Sequence, residues 1–161
     1  SMARLMQLAE DYKEILKGMM FLKPASFDEQ RTTFGKLKDI ITDKFTLVVV
    51  DSVAMLYRVE LAKMDPKLMN RDLLSQINDL GEIARRKEIP VIVTTQVYDD
   101  FMQKDAVKMV GGNILTYTSK CLIELDKLKG TRMMILRKHR SMPEKQLDFE
   151  ITEKGIEKKQ A

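Results

Sequence analysis

The stretch Phe45-Thr46-Leu47-Val48-Val49-Val50-Asp51-Ser52 decides the fold of this chain. Its first six residues are apolar or β-branched and show no polar alternation, a pattern typical of a central parallel strand that helices bury on both faces. The strand ends abruptly in a carboxylate. Because open α/β sheets bind ligands at the carboxyl ends of their strands, Asp51 is predicted to lie at a functional edge.

The carboxylate of Asp51 has two interpretations. An acidic residue at the end of a buried strand is the Walker B pattern of P-loop ATPases, in which the carboxylate holds magnesium, often through water, beside the nucleotide phosphates. Alternatively, Asp51 caps the following turn or helix, and Ser52 assists it. The octapeptide by itself favours neither.

The composition indicates one domain, residues 1–161, that is long enough to bury a sizeable core. Hydrophobic residues make up 44% and charged residues 32% of the chain, which argues against disorder. No apolar stretch approaches the roughly 20 residues that cross a bilayer, and no signal peptide is visible, so we expect no membrane contact and a cytoplasmic location. The single cysteine, Cys121, is predicted to be a buried thiol in a strand.

Positive charge is concentrated near the C-terminus. The formal net charge is +4, but residues 127–145 hold seven basic residues and one acidic residue. Such a cluster suits contacts with the phosphates of nucleic acid or nucleotide. The alternative is a hairpin whose lysines and arginines only face water.

The predicted elements follow the order of a three-layer α/β domain. Ser26 and Glu29 form a capping box that opens one of its helices. The predicted helices are 3–17, 26–41 and 68–87, and the predicted strands are 19–22, 45–50, 89–95, 120–126, 132–138 and 146–151. Two irregular segments, 57–70 and 98–112, follow strand ends on the face where ligands bind. The last three strands, with no helix between them, should form an antiparallel edge.

Four sequence motifs, in this order, carry a family resemblance. They are Leu-Val-Val-Val-Asp51-Ser52, Leu56-Tyr-Arg58-Val-Glu60, Val-Ile-Val-Thr-Thr-Gln96-Val-Tyr98 and Gly111-Gly112-Asn-Ile-Leu. Together they resemble the RecA-superfamily recombinases, and the C-terminal part, from Leu136 to Gly155, is similar to the archaeal RadB-like paralogues. The resemblance implies a RecA-like P-loop NTPase core with a mostly parallel central sheet and an antiparallel C-terminal edge, truncated at the N-terminus.

The family's cofactors are ATP and magnesium, yet the phosphate-binding loop G-x-x-x-x-G-K-[ST] does not occur in this sequence. Only Gly35 is followed by lysine, while Gln30 replaces the first glycine and Leu37 replaces the serine or threonine. The backbone cradle and the magnesium-binding hydroxyl cannot be built from these residues. We therefore predict that this chain binds neither cofactor tightly and does not hydrolyse ATP by itself.

The resemblance also implies roles for nucleotide-site residues. Asp51 matches the Walker B position and would orient the water shell of a magnesium ion, with Ser52 supporting the carboxylate. Gln96 matches the glutamine that senses the γ-phosphate and links it to a DNA-binding loop; the alternative is an amide that caps a strand end. Pro143 and Glu144 match positions near the nucleotide of a neighbouring subunit.

The two irregular segments correspond to the loops that face DNA in recombinase filaments. The basic candidates are Arg58, Lys63, Lys67 and Arg71 in the first, Lys104 and Lys108 in the second, and Lys138, His139 and Arg140 in the RadB-like stretch. Tyr57, Tyr98 and Phe101 could stack on bases. Against this reading, acidic residues dilute the positive field of both loops, and Tyr57 could simply pack in the core.

The leading interpretation is a RadB-like core fragment that acts in DNA repair and homologous recombination by binding DNA, a recombinase or another repair or replication protein. One alternative is a pure protein-interaction module that contacts neither DNA nor nucleotide. Another is a KaiC-like signalling ATPase core, since the segment from Phe149 to Ile156 also resembles the ends of such domains. The sequence leaves the DNA form, the partner and homo-oligomer formation open.

Overall fold

A computed structural model describes residues 2–99, 107–128 and 130–159. These residues form two compact units, one spanning 22–118 and the other combining 2–21 with 119–159. Helices, a parallel strand pair and an antiparallel sheet occur together, which confirms the predicted α/β class. The assignment of the whole chain to one domain stays a prediction. Among the described residues, no helix is long and apolar enough to cross a membrane.

The unit formed by residues 22–118 contains four helices and two strand pairs. Its elements are α3 (Phe27–Ile40), β1 (Val48–Val50), α4 (Met55–Leu61), α5 (Pro66–Lys87), β2 (Val91–Val93), β3 (Val97–Asp99), β4 (Val107–Met109) and α6 (Asn113–Thr118). Strands β1 and β2 are parallel, and β3 and β4 are antiparallel. The parallel pair aligns the carboxyl ends of β1 and β2 at one edge.

Local sequence signals explain where α3 and α5 begin. The hydroxyl of Ser26 accepts a hydrogen bond from the backbone N–H of Glu29 at 3.1 Å, and the Glu29 carboxylate accepts one from the N–H of Ala25 at 2.7 Å. The capping box that opens α3 is therefore confirmed. Helix α5 begins after Asp65, whose carboxylate caps the N–H of Lys67, and Pro66 occupies the first turn.

The structure corrects several element predictions in this unit. The segment predicted as a loop over 57–70 contains the end of α4 and the start of α5, because Asp65 and Pro66 form a helix start and not a loop. The irregular segment over 98–112 includes strand residues of β3 and β4, and residues 100–106 lie outside the described part. Helix α6 was not predicted, since its polar residues obscure the apolar stripe.

The second unit consists of α1 (Met2–Leu8), α2 (Tyr12–Lys17) and a four-stranded antiparallel sheet. Its strands are β5 (Leu122–Leu128), β6 (Thr131–Lys138), β7 (Lys145–Thr152) and β8 (Gly155–Lys158), hydrogen-bonded in that order. The antiparallel C-terminal arrangement is confirmed, and β8 adds a strand that was not predicted. Gly130, at φ +87, makes the turn between β5 and β6.

Three predictions in this unit were wrong. Residues 3–17 form two helices and not one, with Asp11 at the start of α2. Residues 19–22 are not a strand, because they make no ladder hydrogen bonds among the described residues. Cys121 is exposed and precedes β5, so the apolar residues that follow it did not indicate burial of its thiol.

The hydrophobic core lies in the unit of residues 22–118. It joins buried side chains of α3, α4, α5 and α6, among them Phe34, Tyr57, Leu73 and Leu115. Gly111 packs against this core and has a φ of +90. A Cβ added at this residue would lie 3.1 Å from Cδ2 of Leu73. Glycine at this position therefore serves both the backbone conformation and the packing.

Replacing Leu73 by alanine should lower the free energy of unfolding by about 3–5 kcal/mol, because the side chain is completely buried and its removal leaves a cavity. The neighbouring Leu74 is 38% exposed and provides the matched control, with an expected loss below about 1 kcal/mol for Leu74→Ala. Urea unfolding followed by circular dichroism measures both. Equal losses would contradict the assignment of Leu73 to the core.

Candidate nucleotide and DNA site at the carboxyl edge of the parallel strands

The edge of the parallel pair brings Asp51 and Thr94 together. The hydroxyl of Thr94 donates a hydrogen bond to Oδ1 of Asp51 at 2.5 Å. The backbone supports this contact, because the N–H of Thr94 donates to the carbonyl of Val50 at 3.0 Å and the N–H of Val53 donates to the carbonyl of Thr94 at 3.0 Å. The carboxylate is exposed and held at a defined position.

Asp51 does not cap the helix that follows it. Helix α4 has Ala54 at its N-cap position and no side-chain cap. The partner of Asp51 is Thr94, which the sequence analysis did not single out. Thr94 stands two residues before Gln96 at the end of the next strand, and this spacing was the available signal, since alternate residues of a strand share a face.

Ser52 does not hold the carboxylate as predicted. Its hydroxyl is buried and makes no hydrogen bond to any described residue. Thr94 takes the supporting role, because it approaches from the neighbouring strand while the Ser52 side chain points away from solvent.

Gln96 and Arg58 meet at the same edge. Nη1 of Arg58, on α4, donates to Oε1 of Gln96 at 3.4 Å, a long contact between two exposed side chains. The carbonyl of Gln96 accepts from the N–H of Val110, and the Thr95 hydroxyl donates to the carbonyl of Val110, each at 3.0 Å. Gln96 is thus connected to α4 through its side chain and to the residue after β4 through its backbone.

A buried amide pair supports the backbone behind Asp51. Nε2 of Gln30 donates to the carbonyl of Val53 at 3.1 Å and to Oε1 of Gln76 at 2.8 Å. Both glutamines are almost completely buried, and Nε2 of Gln76 has no partner among the described residues. The sequence analysis missed both, although each interrupts the apolar stripe of its helix, which was the available signal.

Tyr57 is a core residue and not a base-stacking side chain. Its ring packs edge-on against Phe27 with centroids 6.0 Å apart, and its hydroxyl donates to Oδ1 of Asn70 at 2.7 Å. Burial, with a smaller contribution from Tyr98, raises the pKa of the Tyr57 hydroxyl. Tyr98 remains exposed at the edge, and Phe101 lies outside the described residues.

The basic residues of the first predicted loop lie on or beside two helices. Arg58 belongs to α4, Lys67 and Arg71 belong to α5, and Lys63 lies between the helices, where it contacts Glu60 at 3.5 Å. All four are exposed. Of the second-loop candidates, Lys104 lies outside the described residues and Lys108 is a residue of β4.

The remaining candidates lie around the connection between β6 and β7. Arg137 bridges two carboxylates there, with Nε 2.6 Å from Glu124 and Nη1 2.6 Å from Glu144. Hydrogen bonds to Glu124 and then to Glu144 raise the pKa of Arg137. Glu144 is therefore paired within its own unit, and Pro143 precedes it on the surface.

The turn after β6 presents three basic candidates in sequence. Lys138 and Arg140 are exposed, and His139 is half-buried. Nδ1 of His139 accepts the N–H of Ser141 at 3.2 Å, which leaves Nε2 as the ring nitrogen that can contact another group.

The described residues do not fit a complete magnesium–triphosphate site. Asp51 offers one exposed carboxylate that suits a magnesium-bound water, but no group of three histidine, cysteine or acidic residues in the described ranges could hold a metal. The motif that supplies a phosphate cradle is absent from the sequence. Of the predicted nucleotide-site residues, the structure places Asp51 and Gln96 near this edge.

Comparison with known proteins gives consistent matches. The Rad51 family model matches residues 2–159. The DNA repair and recombination protein RadB of Thermococcus onnurineus is 42% identical over 161 residues, which cover 96% of this chain and 70% of that protein. The protein of the same name from Methanocaldococcus jannaschii is 36% identical, with coverages of 98% and 74%.

A solved structure shows the same similarity in three dimensions. The crystal structure of the RadB recombinase superimposes with a TM-score of 0.79 at 37% sequence identity. The match covers 97% of this chain and 72% of that chain.

Replacing Gln30 by methionine should lower the free energy of unfolding by about 1–3 kcal/mol, because the carbonyl of Val53 and Oε1 of Gln76 both lose their donor. Gln76→Met should cost less, since Gln30 keeps its bond to Val53 and a buried unpaired Nε2 disappears. Urea unfolding compares the two. A larger loss for Gln76→Met would contradict the described network.

Proposed function

Because this chain belongs to the Rad51 family and is a RadB-type DNA repair and recombination protein, we propose that it contributes to recombination by binding DNA through the carboxyl edge of its parallel strands. The contact between Arg58 and Gln96 is the observation that supports this proposal. It joins the arginine of α4 to the segment after β2 that carries the predicted phosphate sensor. The guanidinium of Arg58 and the side-chain amide of Gln96 are thus close enough to contact the same ligand.

Basic and acidic side chains are mixed around α4 and α5. Arg58, Lys63, Lys67 and Arg71 are exposed there, against the carboxylates of Asp51, Glu60, Asp65 and Asp72; Glu60 lies 3.5 Å from Lys63 and Asp72 lies 4.0 Å from Arg71. Phosphate contacts from the basic side chains are largely independent of base sequence and weaken as salt is raised. Because the formal charges balance, we expect modest affinity and a shallow salt dependence.

The turn after β6 is the second DNA contact in this proposal. Lys138, His139 and Arg140 follow one another, and the ion pairs of Arg137 with Glu124 and Glu144 hold the strand from which they project. Lys104 and Lys108 would add charge from the second predicted loop. A neutral histidine contributes a hydrogen bond, whereas its lysine and arginine neighbours contribute charge.

ATP and magnesium enter the proposal as family cofactors that this chain does not hold tightly by itself. Asp51, positioned by Thr94, would orient a magnesium-bound water, and Gln96 would sense a phosphate, where a cradle is supplied. Pro143 and Glu144 would act only in an oligomer. The cytoplasm is the proposed location, where the lone Cys121 would remain reduced.

Replacing Arg58 by alanine should weaken binding of fluorescent single-stranded DNA about three- to tenfold at low salt, because one phosphate contact is lost. The slope of the logarithm of the binding constant against the logarithm of the salt concentration should become shallower by about one. Fluorescence anisotropy at low and physiological salt measures this. Lys36→Ala is the matched control, since it removes one exposed positive charge from α3. Equal weakening by both variants would leave only a net-charge effect and would overturn the proposed edge site.

The chain alone should release no phosphate from Mg-ATP, with or without single-stranded DNA, because no residues supply the backbone cradle. A colorimetric phosphate assay measures this, and Asp51→Ala is the control. If the chain hydrolyses ATP and Asp51→Ala abolishes the activity, the prediction is wrong.

A further inference from the structure

The four-stranded sheet has two faces of opposite chemical character. Residues paired across antiparallel strands share a face, and successive residues alternate between faces. The registers therefore assign Glu124, Asp126, Asp148, Glu150 and Glu157 to one face. The other face carries only apolar or basic residues at the regular positions of all four strands. It begins with Ile123 and Lys127 on β5 and ends with Ile156 and Lys158 on β8. We call this second surface the apolar-basic face.

Three of the cations of the apolar-basic face form a row across the sheet. Lys127 pairs with Arg132, Arg132 with Phe149, and Phe149 with Lys158, so one row crosses all four strands. Neighbouring strands are about 4.8 Å apart, which places three cations within about 15 Å. No acidic residue of the described strands shares this row.

Apolar rows flank the cations on both sides. Leu125, Met134 and Leu147 form one, while Ile151 and Ile156 form the other. Leu125 is 61% exposed, Ile151 56% and Ile156 63%, although a sheet face in water is normally polar. An open depression at the edge of this face is lined by Arg132, Phe149 and Ile151, and also by Thr131 and Glu150 of the opposite face.

We propose that the apolar-basic face binds an acidic amphipathic segment of a partner protein, whose carboxylates meet the cationic row while its apolar side chains cover the flanking rows. We choose an acidic partner because its carboxylates would complement the charge of this face, whose regular strand positions hold only basic and apolar side chains. The face is formed by other residues than the edge of Asp51 and Gln96, so this inference does not depend on the proposed DNA contact at that edge.

Two other occupants fit the face less well. A DNA backbone would satisfy the cations but leave the isoleucine and leucine side chains without apolar cover, and Phe149 is too buried to stack on a base. A second copy docked through the same face would place cationic rows against each other, which is repulsive.

The test uses a fluorescein-labelled helical peptide of about 16 residues with leucine at i, i+3, i+4 and i+7 and glutamate elsewhere. Fluorescence anisotropy compares it with a peptide in which serine replaces leucine and with one in which lysine replaces glutamate. We expect saturable binding of the first peptide alone. Equal binding of the serine peptide would overturn the proposal, since apolar cover would then contribute nothing.

Charge-reversal variants locate the binding surface. Lys127→Glu combined with Lys158→Glu should weaken peptide binding at least about tenfold, and Ile156→Ser should weaken it about threefold or more, because these residues contact the peptide directly. Lys154→Glu combined with Lys13→Glu is the matched control, since it makes the same change in net charge at two exposed residues that are not strand positions of the face, and it should have less than about a twofold effect. Circular dichroism verifies that each variant is folded.

Other outcomes also decide the question. Arg58→Ala should bind the peptide as the parent chain does, so failure of the DNA proposal is distinguishable from failure of this one. Single-stranded DNA that binds with the same dependence on Lys127 and Lys158, while the peptide does not bind, would overturn the proposal in favour of nucleic acid. Self-association lost on Ile156→Ser, without peptide binding, would overturn it in favour of a second copy.

Discussion

The parallel pairing of β1 with β2 is the constraint on which the candidate site depends. It sets Val48 opposite Val91 and Val50 opposite Val93, so that both strands end at the same level. Asp51 and Thr94 then become hydrogen-bonded neighbours, and Gln96 follows two residues later. A shift of one residue would turn each side chain to the other face of the sheet and would break the contact.

Helices α3 and α5 hold the backbone next to this edge in place through buried side chains. Gln30 of α3 and Gln76 of α5 place a satisfied amide against the carbonyl of Val53, two residues beyond Asp51. Burying polar groups in a core is costly unless they are paired, so such a contact strongly favours one arrangement of the backbone. The apolar residues around it provide the stability, and the amide pair provides the position.

The chain separates its recognition chemistry by surface. The edge of the parallel strands has an exposed carboxylate that Thr94 holds, and a separate contact between Arg58 and the amide of Gln96. The β5–β8 sheet instead carries the acidic residues of its strands on one face, while the other face has only basic and apolar residues at its regular strand positions. The first arrangement suits phosphates, whereas the second suits a ligand that has both apolar and acidic groups.

The sequence by itself determined the α/β class, the strand that ends in Asp51, the capping box of α3 and the family, because these follow from local patterns and ordered motifs. The predicted burial of that strand on both faces was wrong, since Val49 is 57% exposed. It did not reveal the exposure of Cys121 or the burial of Tyr57, since each depends on which elements pack together, whereas the Asp65–Pro66 helix start was a local signal that the sequence analysis missed. Only the tertiary structure decided that Thr94, and not Ser52, holds Asp51, and that Arg58 reaches Gln96. These partners are 43 and 38 residues apart in the chain, and strand pairing and helix packing bring them together in space.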